Sequence, residues 1–411
     1  MTLLCLENAT VLDLEAGELW EGRQVVIEEG RISAIEGGPL RTGLAELQRI
    51  DLGGRVLMPG LCDAHVHVTA VTANFAELRH MAPSYVAARA AGILRDMLMR
   101  GFTTVRDAGG CDFGLARAVE EGILVGPRIL YCGHALSQTG GHGDMRGPGE
   151  QALEHCFCCA GLGTICDGVA AVRRACREEI RRGAHQIKLM VSGGVASPTD
   201  RIGNTQFALE EIRAAVEEAE AAELYVMAHA YTARAINRAL DCGVRSIEHG
   251  NLLDESSVEL LLEKQAFLVP TLATYRALAA EGVVAGMPAP LVAKVDEVLD
   301  AGIRALELAH RHGVKMAYGT DLLGIMHRRQ LDEFAIRAEV QRPLDILRAA
   351  TVNAAELFGM TGEIGVVAPG ARADLLVLDG NPLEDLGVLQ DPTRYLRAVL
   401  KDGVFHKNEL G

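Results

Sequence analysis

Two histidines one residue apart, His65 and His67, are the side chains of this chain best suited to hold a metal ion. They end the segment 58–67, Met-Pro-Gly-Leu-Cys-Asp-Ala-His-Val-His. If residues 57–67 form a strand, alternate side chains share a face, and both imidazoles and Asp63 lie on it. Imidazole is the commonest metal ligand in proteins. Exposed or hydrogen-bonded histidine pairs give the same short pattern, so the rest of the chain must decide.

Polar residues with related chemistry end or follow the other apolar segments. They are Arg106-Asp107, His142 within 137–144, Lys188, His229 with Tyr231, Glu248-His249, and Asp321. Taken singly, each has an ordinary explanation: a hydrogen-bonded histidine, a lysine that extends to solvent, or an aspartate that caps a helix. Four histidines, a carboxylate and an apolar-flanked lysine together favour a site for one or two divalent ions.

Strand-like and helix-like segments alternate through the middle of the chain. The strand candidates are 56–58, 103–106, 128–132, 186–190, 224–228, 245–247, 267–270 and 315–318. The helix candidates include 83–100, 168–182, 209–222, 233–242, 254–265 and 288–312. This alternation predicts an α/β fold, a (β/α)8 TIM-like barrel whose catalytic groups sit at the strand ends. An open doubly wound sheet is the rival, but no Gly-x-Gly-x-x-Gly motif opens the first helix.

The two ends of the chain have a different character. Short strand-like runs punctuated by glycine fill residues 3–36, and similar runs recur from residue 373 to residue 405. Neither end can bury a core alone, and chain termini often lie close together. We therefore expect a small β-sandwich domain built from residues 1–57 and 360–411, beside a metal-dependent hydrolase barrel at 58–359.

Composition excludes some classes of protein. The chain has 411 residues, of which 49% are hydrophobic, and a net charge of −15. Phosphates would repel so acidic a chain, which argues against nucleic acid and anionic membranes as partners. No signal peptide or membrane-length apolar run is evident. The ten cysteines are expected to be reduced thiols, and the predicted location is cytoplasmic.

The combined pattern resembles the amidohydrolase superfamily over nearly the whole chain. The resemblance rests on the 59–67 segment, Lys188, His229, His249 and Asp321, and on the ending Val-Val-Ala-Pro-Gly-Ala-Arg-Ala-Asp at 366–374. Within the superfamily, Arg-Asp-Ala-Gly-Gly at 106–110, Ser-Gln-Thr-Gly-Gly-His at 137–142 and Ile-Lys-Leu-Met-Val-Ser-Gly-Gly at 187–194 resemble the prolidase-like branch. Its members cleave Xaa-Pro dipeptides or remove C-terminal residues from peptides and N-acyl amino acids.

The resemblance implies a role for each residue of the metal set. His65, His67 and Asp321 would hold a buried ion, His229 and His249 a second ion, and Lys188, carboxylated by CO2, would bridge both as a carbamate. Single-metal relatives lack this lysine, so the resemblance implies two divalent ions, with zinc as the first choice. A metal-bridging hydroxide would attack the scissile carbonyl, and Asp321 would carry its proton to the leaving nitrogen. Asp63 is expected to support an imidazole from outside the ligand set.

Substrate contacts are predicted from positions beside the strand ends. His142 and Tyr231 are the candidates to bind the α-carboxylate of a leaving amino acid. Arg328 and Arg329 are a further option, since arginine pairs bidentately with carboxylates, although an exposed basic turn is the favoured interpretation. Tyr275 either lines the pocket or packs in the core.

Three neighbouring cysteines, Cys156, Cys158 and Cys159, form a group with Cys166. The group has neither the paired Cys-x-x-Cys spacing nor the matching histidines of a structural zinc site. We interpret it as reduced or redox-sensitive thiols in a lid-like insertion between the third and fourth strands.

The sequence thus predicts a metal-dependent amide hydrolase that releases a C-terminal amino acid, acting as an Xaa-Pro dipeptidase or on dipeptides and N-acyl amino acids. The alternatives are a hydrolase of a non-peptide amide, carbamate or cyclic amide, and a non-catalytic scaffold with the same fold. The expected partner is a small-molecule or dipeptide substrate. The resemblance also implies a homo-oligomer.

Overall fold

The computed structural model describes residues 3–38, 47–151 and 161–410. The strands of these residues are β1 (Leu3–Asp13), β2 (Glu18–Glu28), β3 (Arg31–Gly37), β4 (Leu47–Asp51), β5 (Val56–Pro59), β6 (Leu61–Val66), β7 (Phe102–Asp107), β8 (Arg128–Tyr131), β9 (Ala135–Ser137), β10 (Gly163–Ile165), β11 (Ile187–Met190), β12 (Val226–Thr232), β13 (Ser246–Leu252), β14 (Phe267–Val269), β15 (Leu375–Leu378), β16 (Leu396–Lys401) and β17 (Val404–Asn408). The α-helices are α1 (Phe75–Leu78), α2 (Pro83–Met99), α3 (Phe113–Glu120), α4 (Val169–Arg181), α5 (Leu209–Glu220), α6 (Ala233–Asp241), α7 (Glu255–Glu263), α8 (Leu272–Glu281), α9 (Ala289–Val292), α10 (Leu299–Arg311), α11 (Asp332–Arg337), α12 (Pro343–Ala349), α13 (Val352–Leu357), α14 (Gly387–Gln390) and α15 (Pro392–Tyr395). Two 3-10 helices span Ala293–Glu297 and Gly324–Arg329.

The two ends of the chain pair with each other. Strands from both ends form one mixed sheet in the order β17-β16-β15-β5-β1-β2-β3, with β4 also paired to β1. The junction is β5, which runs antiparallel to β15 and parallel to β1. Alternate apolar residues of β1 and β15, such as Leu6 and Leu375, are buried in a core of their own. The expected association of the two ends is therefore present, as a single hydrogen-bonded sheet.

The middle of the chain forms two parallel sheets. One contains β6-β7-β8, and the other has the order β10-β9-β11-β12-β13-β14. Nearly every strand is buried on both faces, as expected for parallel strands covered by helices. Helices α2, α4 to α7 and α10 lie close to the predicted helical segments, whereas α3 was not among them. The α/β class predicted from the alternation of elements is confirmed.

The first strand of the parallel sheets was predicted at the wrong place. Residues 56–58 belong to β5 in the terminal sheet, and the strand that carries His65 is β6. Gly60 lies between them, and it packs so closely on Thr103 that a Cβ at this position would be 2.1 Å from Oγ1 of that side chain. A continuous strand through residues 57–67 therefore does not form.

Residues 315–318, predicted as the eighth strand, form bridges rather than a strand. The amide of Leu268 donates to the carbonyl of Lys315 (3.0 Å), and the amide of Ala64 donates to that of Tyr318 (2.7 Å). The segment thus lies between β14 and β6 with too few ladder bonds to be a regular strand.

The helix predicted at 288–312 is also interrupted. It consists of α9, the 3-10 turn Ala293–Glu297 and α10. Val295 in the turn and Val298 after it are fully buried, which holds this break against the rest of the protein.

The remaining expectations concern cysteines and membranes. Cys156, Cys158 and Cys159 lie outside the described residues, whereas Cys166 is a buried free thiol. Among the described helices, none combines the length and apolar character needed to cross a membrane.

Candidate metal centre and substrate cavity

One cavity of about 490 Å³ gathers the side chains that the sequence singled out. It is lined by His65, His67, His142, Lys188, His229, Tyr231, His249, Tyr275 and Asp321, among others. These residues come from the parallel strands β6, β11, β12 and β13, from loops that follow strands and, for Tyr275, from α8. The fold therefore brings all six predicted metal ligands and both predicted substrate contacts to one place.

Three of the predicted ligands form a compact group. Nε2 of His65 and Nε2 of His67 lie 3.5 and 3.2 Å from Oδ1 of Asp321. One potential ligand atom from each residue falls within 4.8 Å of the others, as a shared ion requires. His65 and His67 are buried, and Asp321 is partly buried.

The imidazole of His65 is oriented by an ion pair that the sequence analysis did not assign. Its Nδ1 lies 2.7 Å from Oε2 of Glu248, whose Oε1 accepts from Arg106 at 2.9 Å. Arg106 and Glu248 are both fully buried. The carboxylate fixes Nδ1 as the donor, so Nε2 is left to face Asp321. Arg106 and Glu248 lie at the ends of two predicted strands, but nothing in their spacing shows that they meet.

The other three imidazoles are held in the same way, with one nitrogen on a neighbouring oxygen. Nδ1 of His67 lies 2.9 Å from the carbonyl of Gly109, and Nδ1 of His249 lies 2.7 Å from Oγ1 of Thr271. Nε2 of His229 lies 3.1 Å from the carbonyl of Gly193. Each ring therefore keeps one nitrogen for another partner.

Three of the imidazoles are neutral at ordinary pH. The ring centres of His65 and His229 lie 4.9 and 4.7 Å from that of His249. Burial, together with the neighbouring histidines and Lys188, holds the pKa of His65, His229 and His249 well below the usual value. Because a metal binds the unprotonated nitrogen, this environment prepares them as ligands.

Lys188 lies in the middle of these histidines, on β11. Its side chain is 1% exposed, and among the described residues no hydrogen bond or ion pair is formed by its amine. Burial lowers the pKa of Lys188 to about 8, although Glu248 and Asp321 oppose this shift. A buried ammonium without a hydrogen-bonding partner is unfavourable, so the position suits a neutral or modified lysine.

Asp321 is held in a conformation that few side chains adopt. Its φ is 52°, in the left-handed region, and its amide donates to the carbonyl of His65 at 2.8 Å. Burial acts to raise the pKa of Asp321, but His65, His67 and Lys188 lower it further, and the result is below the usual value. The carboxylate is therefore ionised at neutral pH.

Asp63 does not support an imidazole ring, as was predicted, but binds backbone and side-chain donors. It does not contact an imidazole ring; its Oδ1 accepts from the backbone amide of His65 at 3.1 Å. Its Oδ2 accepts from Oγ1 of Thr320 (2.6 Å) and from Nε2 of Gln330 (2.9 Å). Asp63 therefore links β6 by hydrogen bonds to Thr320, the residue before Asp321.

His142 and Tyr231 lie beside His229 in the cavity, where both rings contact its imidazole. The ring of His142 stacks on that of His229, with 4.2 Å between centres and 17° between planes. Tyr275 donates to the hydroxyl of Tyr231 at 3.0 Å, which leaves the proton of Tyr231 for another acceptor. Tyr275 therefore both lines the cavity and supports Tyr231.

Arg328 and Arg329 do not line the cavity. Both pair with Glu281, at 2.5 Å each, and the Arg328 side chain is 55% exposed. They form the exposed basic turn that the sequence analysis favoured.

The family relationship follows from a comparison of the whole chain. A family model described as the amidohydrolase family matches residues 56–404. The chain belongs to this family. The resemblance drawn from the metal-set residues is therefore confirmed.

Similar proteins place this amidohydrolase near the prolidase-like branch. A solved structure of a prolidase complexed with N-methylphosphonate-L-proline is 53% identical, with a TM-score of 0.96 over 99% of this chain and all of that one. A Xaa-Pro dipeptidase with methionine bound in its active site is 28% identical, with a TM-score of 0.88 over 99% and 100% of the two chains. Ochratoxinase from Aspergillus niger is 35% identical over 366 residues, which cover 86% of this chain and 76% of that protein.

Proposed function

We propose that this amidohydrolase uses two divalent ions to cleave an amide bond and release a C-terminal amino acid, with Xaa-Pro dipeptides as the first substrates to test. The observation that carries the proposal is the arrangement of four imidazoles around Lys188 and Asp321. Each ring has one nitrogen on a neighbouring oxygen, and the second nitrogens of His65 and His67 both approach Asp321. The similarity to a prolidase and to a Xaa-Pro dipeptidase supports the choice of substrate.

The donor set fits a pair of divalent ions. His65, His67 and Asp321 would hold one ion, His229 and His249 the other, and a carbamate on Lys188 would bridge them. Imidazole and carboxylate ligands suit zinc first among the biological divalent ions. Bound ions would supply an activated water as nucleophile and would polarise the scissile carbonyl.

The side chains of the protein perform the remaining steps. Asp321, ionised because the histidines lower its pKa, would accept the proton of the attacking water and deliver it to the leaving nitrogen. His142 and Tyr231 would bind the α-carboxylate of the leaving amino acid beside His229 in the cavity. Glu248 and Asp63 keep the His65 ring and the Asp321 backbone in place during the reaction.

The same proposal includes a closed barrel. The edges of the two parallel sheets are joined by the amide of His185, which donates to the carbonyl of Tyr131 at 2.8 Å, and by residues 315–318 between β14 and β6. These bonds support a (β/α)8 barrel with the cavity at one end. The terminal sheet would then form the second domain, with the boundary at Gly60 rather than after residue 57.

The test is a screen of metal-reconstituted protein against Xaa-Pro dipeptides, other dipeptides and N-acyl amino acids, with detection of the released amino acid. We expect release from at least one class, and loss of release after chelation that added zinc restores. No release from any member of the set would contradict the proposed substrate class.

The cavity also supports a second candidate substrate, an N-acyl amino acid with a bulky apolar acyl group in place of a dipeptide. Apolar side chains occupy much of its wall, including Phe75, Leu78, Met145, Leu162 and Met287. A small dipeptide would leave much of this wall uncovered, whereas an aromatic acyl group would bury it. Matched amides of one amino acid, with acyl groups from acetyl to naphthoyl, separate the candidates. If kcat/KM rises steadily with acyl size while dipeptides remain poor substrates, the second candidate holds.

A further inference from the structure

The loop that follows β11 contacts two histidines of the cavity. The carbonyl of Gly193 lies 3.1 Å from Nε2 of His229, and Oγ of Ser197 lies 2.9 Å from Nδ1 of His142. Gly194 packs so closely on the His142 ring that a Cβ there would be 2.2 Å from it. Asp200 accepts a hydrogen bond from Ser197, which extends the contact of His142 further along the loop. The position of residues 193–200 therefore sets the position of both rings.

A single lysine from a distant segment holds this loop. Nζ of Lys294 donates to the carbonyls of Gly194 (3.2 Å), Ser197 (2.8 Å) and Asp200 (2.9 Å). An ammonium has three N–H donors, so all of them are directed to one loop. The side chain is 20% exposed, and the carboxylate of Asp200 is 3.8 Å away. No other lysine in the described residues has three backbone carbonyls as partners.

The segment that carries Lys294 is itself fixed. It is the 3-10 turn Ala293–Glu297 that interrupts the predicted helix, and Val295 beneath it is fully buried. The carbonyl of Val298 accepts from Nδ2 of Asn251 at 3.0 Å, and Asn251 lies two residues after His249 on β13. Lys294 therefore belongs to a segment that is hydrogen-bonded to β13, the strand of His249. Its amine holds the loop that contacts His142 and His229.

We propose that Lys294 is a positioning residue for substrate binding, acting through residues 193–200 on His142 and, secondarily, on His229. The inference rests on the proposed function, because it assigns His142 to the substrate carboxylate. Loss of the three hydrogen bonds would let the loop move and displace the His142 ring without removing a metal ligand. A displacement of about 1 Å is enough to reduce kcat/KM by up to ~100-fold.

The test compares Lys294→Met, which keeps the length of the side chain but has no donors, with Lys294→Arg, which keeps charge and donors. Lys264→Met, at an exposed lysine paired with Glu263, is the matched control. Hydrogen–deuterium exchange of peptides covering 193–206 measures how often the loop opens. One reporting amide is that of Gly193, which donates to the carbonyl of Asn204 at 3.0 Å. Metal content and steady-state kinetics are measured on the same samples.

For Lys294→Met, we expect faster exchange confined to 193–206, unchanged metal content and a KM raised about tenfold or more, with kcat changed less. Lys294→Arg should restore most of the loss, and Lys264→Met should match the wild type. Ser197→Ala, which breaks the link to His142 but leaves the lysine in place, should raise KM without faster exchange.

Unchanged exchange in Lys294→Met overturns the proposal, and so does faster exchange with an unchanged KM. If the wild type releases no amino acid from any substrate, the proposed function fails, and exchange alone then decides whether Lys294 holds the loop. If Lys294→Met does not fold, an unchanged KM in Ser197→Ala overturns the proposal and a raised KM supports it.

Discussion

Lys188 is the residue whose environment is hardest to explain without a metal centre. Its amine is buried among histidines, and burial lowers the pKa of Lys188 to about 8. A carbamate forms from the neutral amine, and the neutral fraction increases as the pH approaches and passes this value. The environment therefore favours reaction with CO2 near neutral pH, which an exposed lysine does not.

The first prediction follows from this pKa. Metal-free protein should take up two ions per chain when bicarbonate is present at pH 8.5, and clearly fewer at pH 6.5 or without bicarbonate. Lys188→Ala should lose at least one ion and nearly all hydrolysis under every condition, whereas Lys264→Ala should behave as the wild type. Elemental analysis after gel filtration measures the metal. Full activity in Lys188→Ala would exclude a bridging carbamate.

The second prediction concerns Glu248, which joins His65 to Arg106. Glu248→Gln should weaken metal binding by about 10–100-fold, because glutamine has a single acceptor oxygen and cannot accept from both His65 and Arg106 as the carboxylate does. It should also reduce the free energy of unfolding by about 3 kcal/mol or more, since Arg106 is left buried without its charge partner. Titration with a metal indicator and urea unfolding test the two parts. Glu263→Gln, at an exposed carboxylate, should change neither quantity.

At the scale of elements, the sequence predicts which side chains share the site better than it predicts where strands end. Lys188, His229, His249 and Asp321 could be found because parallel strands place the residues at their ends on one side of a sheet. The partners that orient them could not be found. The carbonyls of Gly109 and Gly193 belong to the backbone, which carries no sequence signal, and they approach the rings only after folding.

Errors in the predicted elements occur where distant segments meet. Residues 56–66 were predicted to form one strand, yet they are divided between two sheets at Gly60, which packs closely on Thr103. Likewise, residues 288–312 have a helix-like composition, but the turn at 293–297 is stabilised by the hydrogen bonds of Lys294 to a loop about 100 residues earlier. Such contacts between distant segments cannot be read from periodicity.

The third prediction tests the division at Gly60. Gly60→Ala should destabilise the protein by about 1–3 kcal/mol, because the new methyl group overlaps the side chain of Thr103 and neither strand can shift freely. Gly92→Ala is the matched control: it lies within α2, and a Cβ there meets nothing within 4 Å. That control should be neutral or stabilising by up to about 1 kcal/mol. Equal midpoints of chemical unfolding for the two variants would contradict this account.

At the scale of the whole molecule, the terminal sheet contacts the parallel sheets at the end of the strands opposite to the cavity. Arg128, the first residue of β8, donates to Asp374 (2.7 Å), just before β15, and to Asp402 (2.7 Å), between β16 and β17. Asp374 is 2% exposed, so this ion pair is shielded from solvent. Most metal-set side chains lie towards the other ends of the strands, and among the described residues Arg128 has no hydrogen bond or ion pair with any of them.

The last prediction is that Arg128→Met destabilises the protein and leaves substrate binding unchanged. The buried carboxylate of Asp374 would lose its charge partner, which costs about 3–5 kcal/mol when one member of a buried pair is removed. Arg117→Met, at an exposed pair with Glu121, should leave the free energy of unfolding nearly unchanged. Urea unfolding gives both values, and the loss in Arg128→Met should persist in 0.5 M salt, since a buried pair is little screened. If KM of Arg128→Met differs from that of the wild type by more than about threefold in conditions where it is fully folded, the terminal sheet contributes to the site as well as to stability.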